Sequence, residues 1–196
     1  MGRAGIGRRR FIVGAAGVAA AACAGCSGGD GDDAVATTTT DPLAGGFGGT
    51  IDAGKLVDVL DEIDRGRGFL YLPEGRLYLT RFPAEHAGAA LDAYDERLHD
   101  GISAGLIATY QKCPHLGCRV PPCTTSGWFE CPCHSSRFTG VGEFVDGVST
   151  RGMDHFPIAI DVDGVVRIDT AVIVDGMPVG TETVPHDAAG PHCISG

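Results

Sequence analysis

Lysine is nearly missing from this sequence: Lys55 and Lys112 are the only two. Acidic residues outnumber basic ones 25 to 15, for a formal net charge of −10. Binding a nucleic-acid backbone needs clustered Lys and Arg against the phosphates, so that class is excluded. Long apolar runs are also scarce. One uncharged stretch, residues 11–29, approaches spanning length, which excludes a polytopic membrane protein. There is no glycine-rich nucleotide loop, no internal repeat and no separate catalytic base. Glycine (31) and proline (11) are plentiful in the 196 residues, which favours loops and strands over a helical bundle. The length suits one compact domain with tails, and 43% hydrophobic residues can fill its core. Cysteine is abundant at eight, and five of the eight fall within residues 113–133.

The N-terminus reads as an address. Arg3, Arg8, Arg9 and Arg10 precede a 12-residue apolar run, FIVGAAGVAAAA, in the manner of a signal peptide. Arg8-Arg9-Arg10-Phe11-Ile12 resembles the twin-arginine export signal. Cys23-Ala24-Gly25-Cys26 is similar to a lipoprotein processing box, with Cys23 where leucine is usual. Residues 1–26 are therefore expected to be an export signal, either lipidated at the cysteine or retained as a membrane anchor. Residues 27–50 are small, polar and acidic, and are expected to form a flexible, disordered linker. The protein is expected at the outer face of the cytoplasmic membrane, anchored by its N-terminus.

A folded domain is expected over residues 51–184, mainly β with short antiparallel strands. Leu56, Val59, Leu60 and Ile63 recur at helical spacing, which predicts a short N-terminal helix over 52–65 ended by Gly66. Residues 69–72 and 76–81 flank Pro73-Glu74-Gly75 and read as a hairpin. Residues 84–98 read as helical, and 105–110 and 127–130 as strands running into cysteines. Asp163-Gly164 between two β-branched runs is a strong hairpin signal, and 171–175 adds a further strand. Residues 185–196 show no apolar period and read as a loose tail. Asp61, Glu62 and Asp64 read as a solvated helix face. Trp128 beside Phe129 reads as core packing, and His86, His99, His155, His186 and His192 read as surface residues.

The chemistry lies in two loops, Cys113-Pro114-His115-Leu116-Gly117-Cys118 and Cys131-Pro132-Cys133-His134-Ser135-Ser136. Cys113, His115, Cys131 and His134 supply two thiols and two imidazoles, one of each per loop. Such a set suits zinc or a two-iron cluster with both histidines on one iron. A C2H2 zinc finger groups like ligands together; here they are mixed, as suits a site clamped between two loops.

The pair C-x-H-x-G-C and C-P-C-H-x-S resembles the Rieske [2Fe–2S] proteins, in the disulfide-containing branch found in quinol-oxidising complexes. The resemblance implies an antiparallel β-sandwich with a small cluster-binding subdomain. It implies that Cys113 and Cys131 bind one iron, that His115 and His134 bind the other, and that Cys118 pairs with Cys133. It places Leu116 at the exposed tip and has Ser136 donate a hydrogen bond toward cluster sulfur. Ser135 departs from the family's usual glycine. Phe138 departs from its usual tyrosine, so one hydroxyl donor to a cluster cysteine is absent, and a lowered potential, matched to menaquinol, is expected. Residues 147–152 lack the proline of the family's covering loop. The function implied is electron transfer, as the iron–sulfur subunit of a cytochrome bc-type complex. Its partners would be a cytochrome b-type subunit and a cytochrome c-like acceptor, and the subunit would have no activity of its own. The alternative is the small Rieske subunit of an exported molybdenum oxidoreductase such as arsenite oxidase. Cys123 is left either free or paired with Cys193.

Overall fold

The structure is a computed structural model and describes residues 47–194. The expected export signal, and the linker up to residue 46, lie outside the described residues. Eleven short strands and three α-helices occur among the described residues: β1 (Thr50–Lys55), α1 (Leu56–Arg65), β2 (Leu70–Leu72), β3 (Leu77–Arg81), α2 (Ala87–Ala93), α3 (His99–Ser103), β4 (Leu106–Tyr110), β5 (Pro122–Cys123), β6 (Trp128–Glu130), β7 (Arg137–Phe138), β8 (Phe144–Asp146), β9 (His155–Phe156), β10 (Ile158–Ile160) and β11 (Val165–Asp169). All pairings are antiparallel, in sheets ordered β1-β11-β10, β2-β3-β4-β9 and β5-β6-β7-β8.

The first two sheets form a base whose apolar faces meet in one core. Ile51, Ile158, Val166 and Ile168 come from the first sheet, and Leu77, Leu79, Leu106, Ala108 and Phe156 from the second. In β11 the alternation is visible in the residues, with Val166 and Ile168 buried and Arg167 exposed. Each fully buried large side chain of this kind contributes roughly 2 kcal/mol against leaving it in water. Asp163-Gly164 turns the β10–β11 hairpin, with Gly164 in the left-handed region.

Helix α1 packs Val59 and Ile63 inward and leaves Val57 exposed, as the spacing of its apolar residues requires. It starts later than expected. Residues 50–55 pair with β11 instead, and Gly54, at φ +95°, sits at a bulge that a helix cannot pass through. The 84–98 stretch breaks into α2 and flanking 3-10 turns, and Asp95 caps the last of these by accepting from Arg97 N–H. Residues 171–175 form only a single bridge, Val174 to His155, rather than a strand. The folded part also begins before residue 51: the Phe47 ring stacks on Tyr110 at 5.5 Å, and the Arg76 guanidinium lies 4.8 Å from the centre of the same ring.

The third sheet is an insert. Strands β4 and β9 are neighbours in the second sheet, with Ala108 opposite Phe156 and Thr109 opposite His155. The chain leaves the base at Tyr110 and returns at His155. Residues 111–154 therefore form a subdomain standing on one end of that sheet. Phe69 and Tyr78 of the base pack against Phe129, Phe138, Cys113 and Cys131 of the insert in a shared core.

Two further expectations need correction. The segment after Val184 is not loose. It is tied to the domain by hydrogen bonds from residues 183–194 to two buried carboxylates and by a second disulfide, Cys123–Cys193. Nor are all the outlying histidines at the surface. His155 is buried, and burial pushes its imidazole down to about 4, so it is neutral at neutral pH. His186 and His192 each contact one of the buried carboxylates. The acceptors lie far away in sequence, so no local pattern announces them. Among the described residues no helix is long and apolar enough to cross a membrane.

Candidate metal centre

The first loop follows β4 and the second joins β6 to β7. They share one backbone scheme. Cys113 N–H donates to Cys118 C=O (2.8 Å) and Gly117 N–H to Cys113 C=O (2.9 Å). In the second loop Cys131 N–H donates to Ser136 C=O (2.8 Å) and Ser135 N–H to Cys131 C=O (3.1 Å). Each loop closes with its fifth residue in the left-handed region, Gly117 at φ +82° and Ser135 at φ +57°. Glycine takes that conformation freely, whereas serine there costs on the order of 1 kcal/mol. The first cysteine of each loop points inward and is buried, while the histidines lie toward the outer end.

Cys113 and Cys131 are free thiols in mutual contact. Burial pushes the Cys113 thiol up to about 11, and its neighbour Cys131 adds to this, while the backbone N–H groups of His115 and Leu116 pull the other way. A thiol so placed gives up its proton readily only to a cation bound in its stead. The His115 and His134 rings meet edge to face, with centroids 4.9 Å apart. His115 is half-buried and His134 exposed, and Leu116 beside them is 72% exposed. Cys118 and Cys133 form a disulfide that ties the two loops together, Cα to Cα 6.6 Å. The Cys131 sulfur lies within 4.8 Å of both of its sulfurs.

Ser136 is buried under residues 147–149. Its Oγ accepts from Val148 N–H (3.1 Å) and Ser149 N–H (3.0 Å), which leaves its own proton to donate. Gly147 makes this fit possible, because a Cβ there would lie 2.5 Å from the Ser136 Cα. Phe138, fully buried, packs edge-on to Phe144. Two contacting thiols in an apolar pocket, two imidazoles at its mouth and a spare hydroxyl proton fit a sulfur-containing metal cluster. All the sequence-predicted site residues come together in this one subdomain.

Sequence reasoning missed Glu130, the residue before Cys131. It is 1% exposed and accepts from Ser126 Oγ (2.7 Å), His192 Nδ1 (2.9 Å), Cys193 N–H (2.8 Å) and Ile194 N–H (3.0 Å). Burial alone would push its carboxyl up. The hydrogen bonds from Ser126, His192 and the two backbone amides outweigh this and hold it below the usual carboxylate range. The unplaced pair Cys123 and Cys193 was the one signal in the sequence that pointed here.

Residues 85–157 match the family model for the Rieske [2Fe-2S] domain. The chain is 34% identical over 67 residues to the cytochrome b6-f complex iron-sulfur subunit of Synechococcus sp. (strain JA-2-3B'a(2-13)), covering 33% of this chain and 39% of that one. It is 31% identical over 85 residues to the cytochrome b6-f complex iron-sulfur subunit 3 of Nostoc sp. (strain PCC 7120), covering 43% and 42%. The matched region thus spans about two fifths of the length of these curated relatives. Among solved structures, the soluble domain of Rieske protein II (soxF) from Sulfolobus acidocaldarius aligns with TM-score 0.44 and 19% identity, over 76% of this chain and 88% of that one.

Proposed function

We propose that the chain, whose residues 85–157 match the Rieske [2Fe-2S] domain model, is an iron–sulfur electron-transfer protein in which Cys113 and Cys131 bind one iron of the cluster and His115 and His134 the other. We further propose that it serves as the quinol-oxidising iron–sulfur subunit of a cytochrome bc-type complex, exported and anchored at the outer face of the membrane. The observation that carries this reading is the polarity of the site: thiols inside, imidazoles and Leu116 outside.

When bound, the cluster supplies one-electron redox chemistry, at a potential raised by its neutral imidazole ligands. The chain's own residues do the rest. The shared core around Phe129 and Phe138 keeps water from the thiolates, and Ser136 offers a hydrogen bond to the charge they carry. His115 and His134 set two imidazoles, the side-chain type suited to proton exchange, at the outer end of the site. A hydroquinone gives up protons with its electrons, so a proton acceptor at the same tip matches that reductant. The exposed Leu116 side chain offers an apolar contact for such a ring system.

A reductive titration of the full chain followed by electron paramagnetic resonance, with iron and sulfide analysis, tests this reading. The expected result is a rhombic signal, two irons per chain, and a midpoint potential that falls as pH rises, because the oxidised form releases imidazole protons. One zinc per chain, or no metal, would remove the electron-transfer reading. Co-purification with a molybdenum-containing subunit, rather than a cytochrome b-type one, would replace the quinol-complex assignment.

A second measurement concerns Phe138. Phe138→Tyr returns a hydroxyl donor beside the cysteine pocket, and each such donor stabilises the more negative reduced state. The midpoint potential of the variant is expected to rise. An unchanged or lower value would sink the proposed role of this position.

A further inference from the structure

We propose that Glu130 is a positioning residue for the loop 131–136, and that residues 183–194, closed by the Cys123–Cys193 disulfide, form the clasp that holds it there. The inference rests on the cluster reading above.

Glu130 stands at the foot of that loop. It is the last residue of β6, and its ladder partner in β7 is Arg137, so the pair Glu130 and Arg137 is the final rung before the loop opens. Cys131 and His134 therefore take their position from this rung. The Glu130 side chain is a carboxylate in a site with almost no access to water. Such a group costs several kcal/mol to bury unless donors replace its hydration. Three of its four donors, His192 Nδ1, Cys193 N–H and Ile194 N–H, belong to the C-terminal segment, 62 to 64 residues away in sequence.

That segment is fastened independently. The disulfide joins Cys193 to Cys123 on β5. Thr125 Oγ1 donates to Pro191 C=O (2.7 Å), Ala189 N–H donates to Ser126 C=O (2.8 Å), and the His192 ring packs against Trp128 at 5.1 Å. At its other end Glu143, also buried, accepts from Thr183 Oγ1 (2.5 Å), Thr183 N–H (3.2 Å) and Tyr94 OH (2.9 Å), and contacts His186 Nε2 (3.2 Å). Without the clasp, Glu130 keeps only Ser126 as a donor. Its charge must then turn toward water, and the foot of the loop moves with it.

The test uses the full, cluster-loaded chain and two variants, the double variant Cys123→Ala/Cys193→Ala and Glu130→Gln. Amide exchange at residues 193 and 194, the rate at which the cluster's visible absorbance is lost, and the midpoint potential are measured on each. Opening the clasp is expected to speed both amide exchange and cluster loss on the order of tenfold, the scale of losing hydrogen bonds to a charged group. Glu130→Gln removes a negative charge one residue from Cys131, so its midpoint potential is expected to rise, a change that a purely architectural role would not produce. If Glu130→Gln does not fold, His192→Gln takes its place and is expected to speed cluster loss. Cluster loss at the wild-type rate in the double variant, despite faster exchange at 193 and 194, would overturn the inference alone. A wild-type chain without iron would remove the cluster reading and this inference with it.

Discussion

Cys131→Ala is expected to leave the chain without its cluster while the base sandwich stays folded. The cysteine sits at the end of β6, 2% exposed and in contact with Cys113. On the proposed ligand assignment, its removal takes away one of the two thiolate donors of one iron. The nearest sulfurs, those of Cys118 and Cys133, are already joined to each other. The base core of Ile51, Leu77, Leu79, Phe156, Val166 and Ile168 contains none of the proposed ligands. The direct structural cost is the small void left by one sulfur atom, about 1 kcal/mol. Iron and sulfide per chain are therefore expected to fall close to zero, with little change in far-ultraviolet circular dichroism. Two irons retained per chain would refute the ligand assignment. Loss of iron together with complete unfolding would refute the independence of the base.

Glu143→Ala is expected to be among the most destabilising single changes outside the core. The carboxylate is fully buried and gathers Tyr94 OH, the Thr183 hydroxyl and N–H, Val184 N–H and His186. Alanine removes the acceptor and leaves these donors facing each other in an apolar site. Tyr94 is itself buried, and burial pushes its hydroxyl strongly upward, with the Glu143 charge adding to the effect, so it stays a neutral donor. Removing one partner of such a buried network costs about 3–5 kcal/mol, a large share of a domain's total stability. Urea denaturation of the apo chain measures this without interference from the cluster. A far smaller loss is expected for Asp95→Ala, which breaks an exposed pair with Arg97. Equal losses from the two changes would show that the tail is not held through Glu143.

How much of this was legible in advance follows from the range over which each feature is determined. Both cysteine–histidine loops close on themselves within six residues, through Cys113 N–H to Cys118 C=O and Cys131 N–H to Ser136 C=O. Their cysteines and histidines stand close together in sequence, so spacing singled out the two loops, while the choice of a two-iron cluster over zinc came from the family resemblance. The Asp163-Gly164 hairpin and the inward face of α1 were readable for the same reason, since turn chemistry and helical period are local. Tertiary structure decided the rest. Residues 52–55 join β1 rather than α1 because β11, more than 100 residues later, offers a strand edge, and a propensity argument cannot see a partner at that distance. The C-terminal segment lacks any apolar period because it is held by donors aimed at two carboxylates rather than by a hydrophobic face. In a linear reading Glu130 and Glu143 are two acids among many. Only burial, which depends on the whole packing arrangement, turns them into the fixed points that hold residues 183–194 against the domain.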